Sequence, residues 1–173
     1  MHKIYILFAA IAAILITAPL SLGAAERAYL QSTVWEDQWE PCFKDRPADR
    51  IVSMRAIEAA HELYEDIQNA VDQNIDEETA AALHGAKMNR MLDDFQSVAN
   101  HGCGVAQAMM AMFYKTDVGR IREDRLESLK WMSLAVKSGS VPAQNILKRM
   151  LPDYSAEDIT TARAWVDAWR PSD

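Results

Sequence analysis

The sequence predicts an all-α chain built as a short α/α solenoid of stacked helical hairpins, and three observations carry that expectation. Gly102–Cys103–Gly104–Val105–Ala106–Gln107 is echoed by Gly139–Ser140–Val141–Pro142–Ala143–Gln144, with the glycines (139 − 102) and the glutamines (144 − 107) both 37 residues apart. A fixed period in the thirties, closed by a glycine, marks arrays of helix pairs. Half of the residues are hydrophobic and they recur at helical spacing, while the chain holds only 6 Gly and 6 Pro.

The elements follow in order. Residues 1–25 are unlike the rest. His2 and Lys3 form a polar start, Ile4 to Ala18 is an unbroken apolar run, and Ser21–Leu22–Gly23 and Gly23–Ala24–Ala25 place small residues for signal-peptidase cleavage. The run is short of the roughly 20 residues that span a bilayer core. A cleaved signal peptide is the expectation, and a retained membrane anchor is the alternative. Residues 26–50 form a lead-in with Trp35 and Trp39 on one helical face, and Pro41, Pro47 and Asp49 mark a loop. The repeat domain is expected over 51–173.

Helix one is predicted from about Ile51 to Val71, with Ile57, Ala60, Tyr64, Ile67 and Val71 as its buried stripe. Helix two starts after Asp76 as N-cap and buries His84, Met88, Met91, Phe95 and Val98. Gly102 closes it in the left-handed conformation. Helix three covers about Val105 to Tyr114. Asp124 caps helix four, which runs to Ser138 and is closed by Gly139. Pro142 suits the first turn of helix five, which ends near Leu151–Pro152. Ser155 and Asp158 form a capping box for a last helix, whose face is Ile159, Ala162, Val166 and Trp169 with Trp165 beside it. That helix reads as a lid over the open end of the array, with a partner-binding anchor as the other use of its two tryptophans.

Charge limits the partners. The chain carries 18 basic and 25 acidic residues, net −7. This argues against nucleic acid or an anionic membrane as the main partner. Membrane contact is expected only if the N-terminal segment is retained. The two cysteines, Cys42 and Cys103, suit one disulfide in an oxidising compartment. It would close a loop of about 60 residues and add roughly 4 kcal/mol on a loop-entropy model. Two unpaired small hydrophobes are the alternative. Their spacing fits no zinc pattern.

The stretch from Asp124 through Trp131, Ala135 and Gly139 to Ala143–Gln144 resembles the Sel-1-like repeat, of the tetratricopeptide-like α/α solenoids. An acidic start, a Trp near mid-helix, a small residue before the end, a closing Gly and an Ala-Gln opening carry the likeness. Ala106–Gln107 with Ala111 and Tyr114 resembles the first helix of such a unit, and Gly119 its turn glycine. One unit, about Val105 to Gly139, matches well. In the helix before it, Asp94 stands where the Trp would be. The resemblance implies a right-handed superhelix and an adaptor or regulator role. It also implies that first helices line the inner surface, so Gln107, Met110 and Tyr114 of helix three and Gln144 and Lys148 of helix five become the expected partner contacts. Some exported relatives have been linked to β-lactam binding, but no nucleophile arrangement here supports a hydrolase.

Other patterns are weighed on the residues alone. Glu58, Glu62, Glu65 and Asp66 open an acidic run with no Lys or Arg between Arg55 and Lys87, which reads as a solvated face or an acidic docking face for a basic partner segment. His61 and Glu65 at i,i+4, with Glu58 one turn earlier, lack a third ligand from elsewhere, so no metal is assigned. His101 beside Cys103 in one tight turn is expected to be a helix end and half of a disulfide, not a nucleophile pair. The methionines, from Met88 to Met150, sit on helix stripes and are assigned to core packing, not to Cu(I). No phosphate loop, nucleophile elbow or dinucleotide fingerprint occurs. The expectation is a non-catalytic protein or peptide interaction module without a cofactor, exported to a periplasm. An envelope subunit anchored in the inner membrane and facing the periplasm is the alternative.

Overall fold

Helix boundaries fall where the capping residues put them. The computed structural model describes residues 39–44, 46–73, 75, 77–116 and 120–172. Among the described residues six α-helices follow one another: α1 (Pro47–Asp72), α2 (Glu77–Asn100), α3 (Gly104–Thr116), α4 (Arg125–Lys137), α5 (Val141–Met150) and, after a 3-10 turn at Leu151–Asp153, α6 (Ala156–Ala168). Residues 39–43 are helical as well, and no strand forms among the described residues. The expected signal segment, Trp35, the Asp76 cap and the Gly119 turn lie outside the described residues.

The 37-residue spacing recurs in the helix boundaries. The ends of α2 and α4, Asn100 and Lys137, are 37 apart, and so are the starts of α3 and α5, Gly104 and Val141. Asp124 caps α4 by accepting from the Glu127 N–H at 2.9 Å. Ser155 and Asp158 close a reciprocal capping box on α6. Such a cap contributes about 1 kcal/mol. Neighbours in sequence pack together, α1 on α2, α2 on α3, α3 on α4 and α4 on α5, whereas α6 returns to α4. Trp165 meets Trp131 of α4 edge to face, with ring centroids 5.6 Å apart, and Lys137 donates to the Val166 carbonyl at 2.7 Å.

The core runs through the pairs. Leu63 of α1, Leu92, Phe95 and Val98 of α2, Met109 and Phe113 of α3, and Leu129, Met132 and Leu134 of α4 are almost wholly buried. Each such side chain contributes about 1.5–3 kcal/mol by leaving water. Met91, Met109, Met110, Met132 and Met150 are buried, and Met88 and Met112 pack against the core. Thioethers therefore fill gaps between helices.

The lead-in differs from expectation. Trp39 and Phe43 are core residues, stacked 6.1 Å apart, and Trp39 also meets Phe95 at 6.4 Å. Pro47 begins α1 four residues before Ile51, because a proline in the first turn gives up no helical hydrogen bond. Asp49 lies inside that first turn, not in a loop. Trp39, Phe43 and Asp49 are thus buried in the same body as the helices that follow. On α1 the buried positions are Ser53, Ala56, Ala60 and Leu63, with Ile57 on the flank. Of the expected stripe, Ala60 is buried and Ile57 packs beside it, and Ser53, Ala56 and Leu63 are buried in addition. The side chains of Tyr64, Ile67 and Val71 are not among those described.

Candidate functional site

The two repeated segments form two corners with the same backbone. At corner one, Gly102 N–H donates to the Ala99 carbonyl at 3.0 Å and Cys103 N–H to that of Val98 at 3.3 Å. At corner two, Gly139 N–H donates to Val136 and Ser140 N–H to Ala135, both at 3.0 Å. This is the Schellman pattern, which satisfies carbonyls that the helix end leaves without partners. It needs a left-handed residue, and Gly102 and Gly139 supply it with φ of 99° and 89°.

The corners stack on each other at Gly104. A Cβ there would lie 3.1 Å from the Ala135 carbonyl oxygen, 3.2 Å from Ser140 Cβ and 3.3 Å from Ser138 Cβ. Only a residue without a side chain admits corner two this closely. The residue in register with Gly104 is Val141, which is 66% exposed. Between the corners runs a groove of about 170 Å³. Pro41 and Cys42 line one side, Gly102, Gly104 and Val105 the first corner, and residues 138–142 the second. Cys42 is joined to Cys103 by a disulfide with Cα atoms 4.8 Å apart, so the helical segment at 39–43 is tied to corner one.

The expected contact residues separate here. Gln107 and Met110 are buried, at 0% and 1% exposure, and cannot line a surface. Their helix, α3, lies between α2 and α4, which cover it on both sides. The Gln107 amide nitrogen donates to the Ala99 carbonyl at 3.1 Å inside the core. Tyr114 is half-buried at the far end of α3. Burial raises its pKa first, then the charges of Glu127 and Asp124, against Arg120. Gln144 and Lys148 are exposed, one turn apart on α5. The five do not gather into one surface.

The acidic face is partly neutralised from within. Lys87 of α2 reaches across to Asp66 at 2.9 Å and Glu62 at 3.0 Å. These hydrogen bonds, that to Asp66 first, raise the Lys87 pKa. His84 Nδ1 stands 3.4 Å from Asp66. Glu58 and Glu65 are exposed on α1. Among the described residues no group of three His, Cys, Asp or Glu could hold a metal ion, and the His61 side chain is not described.

His101 and Cys103 do not form a nucleophile pair, because the Cys103 sulfur is in the disulfide. His101 Nδ1 instead lies 2.9 Å from both carboxylate oxygens of buried Asp49. Sequence reading missed this pair, and it missed Arg55, which binds buried Asp94 through two hydrogen bonds of 2.6 and 2.5 Å. The signal for the second was present. Asp94 is 37 residues before Trp131, and a carboxylate in a tryptophan's place needs a cation.

Two further exposed apolar residues, Ile51 and Met54, lie one turn apart on α1. No helix among the described residues is long and apolar enough to cross a membrane. Comparison with protein-family models, with characterised proteins and with solved structures finds no match to this chain.

Proposed function

We propose that this chain is a non-catalytic interaction module that grips an extended peptide or a partner protein in an exported, periplasmic compartment. In this reading it is a short relative of the Sel-1-like α/α solenoids. The observation that carries it is the exposed Val141 on the rim of the groove between the corners. The groove offers apolar contacts from Pro41, Val105 and Pro142 and a glycine-bearing floor that lets another backbone approach closely. The disulfide supports an oxidising compartment, and the N-terminal sequence supports export.

The test is a photo-crosslinking residue at position 142 in cells. The expected result is a discrete adduct that Val141→Asp removes. If position 142 yields no adduct beyond that from exposed position 163 on α6, the reading is wrong.

A further inference from the structure

The chain's own C-terminal tail sits in a seat built like a peptide-binding site. After α6, Trp169 turns extended, with φ −64° and ψ 140°, and the following residues cross back over corner one. The rings of Pro171 and Trp169 lie 3.8 and 3.9 Å from where Gly102 would carry a Cβ. The Ser172 N–H donates to the Asn100 carbonyl at 2.9 Å, and Arg46 Nη2 donates to the Ser172 carbonyl at 3.0 Å. Both main-chain groups of Ser172 are therefore satisfied by the seat, and neither bond depends on the serine side chain. This is how extended peptides are held: main-chain bonds fix the ligand, and side-chain contacts select it.

The seat is built from groups that the helical ladder itself leaves unused. The Asn100 carbonyl is one of the last four of α2, which no helical N–H can reach. Arg46 offers a guanidinium from the short link between residue 43 and α1. Gly102 gives a flat floor, because its left-handed backbone excludes a side chain. Two rings two positions apart rest on that floor. Proline loses little conformational freedom on binding, and an aromatic ring supplies area at low entropic cost.

We propose that Arg46, Asn100 and Gly102 form a recognition site for an extended segment carrying an aromatic residue two positions before a proline, and that residues 169–172 occupy it in cis. A partner segment of that chemistry displaces the tail. Gly102 also borders the groove, so a ligand lying along the groove meets the tail at this point. The link to the groove rests on the interaction-module reading, whereas the seat itself rests on the tail contacts alone. A tethered tail acts at an effective concentration of about millimolar, so it masks the site from weak ligands and yields to those with more contacts.

The probe is a labelled hexapeptide of the tail sequence, Ala-Trp-Arg-Pro-Ser-Asp, titrated by fluorescence anisotropy. It is added to the full chain and to the full chain carrying Trp169→Ser and Pro171→Ser. The doubly substituted chain should bind it with a midpoint about ten-fold lower, as expected when a cis competitor is removed. Adding Arg46→Ala should reverse that gain. Equal midpoints, or no saturable binding by either chain, overturn the proposal. Hydrogen exchange on the unchanged chain gives a second readout that needs no variant. Peptide at about 10 mM should speed exchange of the Ser172 amide, and an unaltered rate overturns the proposal. Peptide binding without an adduct from position 142 sinks the groove reading and leaves the seat standing. An adduct without peptide binding does the reverse.

Discussion

Corner one and corner two share a backbone and differ in what covers them. Gly102 lies under Trp169 and Pro171 and beside a disulfide, whereas Gly139 has nothing within 4 Å of the position its Cβ would take. Gly104 is pressed by the next corner, and Val141, in the same register, faces solvent. Local sequence thus sets the turn, and the neighbour sets the side chain that the turn tolerates. At position 104 the second corner leaves room only for a glycine, whereas at position 141 nothing comparable presses and a valine is admitted.

The comparison can be broken at three points. The largest effect is expected from Cys42→Ser with Cys103→Ser, which releases corner one from the segment at 39–43. Urea unfolding should show a loss of about 2–4 kcal/mol. A loss under about 1 kcal/mol would mean that the burial of Trp39 and Phe43 holds that segment without the bond. Next comes the register pair. Gly104→Ala should cost about 1–3 kcal/mol, because its new methyl meets backbone and Cβ atoms that cannot move independently. Val141→Ala should stay within about 0.5 kcal/mol, as expected of an exposed position. Similar costs at the two sites would remove the distinction between a covered corner and an open one. The last pair sharpens it. Gly102→Ala and Gly139→Ala should each cost about 1 kcal/mol, from the left-handed backbone alone. A Cβ at Gly102 meets only ordinary contacts and one at Gly139 meets none, so their thermal midpoints should fall together.

What could be read in the sequence follows the same division. Corners, caps and helix order were legible, because Gly102, Gly139, Asp124 and the Ser155–Asp158 box each act within a few residues of themselves. Pairing of Cys42 with Cys103 was the expectation for two cysteines behind an N-terminal run that reads as an export signal, and the disulfide forms. Long-range placement was not legible. Gln107 and Gln144 occupy one register position, yet the first is buried and the second exposed, since α3 lies between two helices and α5 does not. A polar residue's repeat position says nothing about which end of the stack it is on. Asp49 and His101 are 52 residues apart and belong to no repeat, so no spacing could announce their contact. Pro47 was read as a loop residue because a proline at a helix start and a proline in a loop look alike until the helix is seen.

The contact between Arg46 and Ser172 has a last consequence, for how the body holds together. One exposed guanidinium bond joins residues 126 positions apart, from the link before α1 to the segment after α6. Such a bond contributes only about 0.5–1.5 kcal/mol, yet it makes fraying at residue 46 and fraying at residue 172 one event.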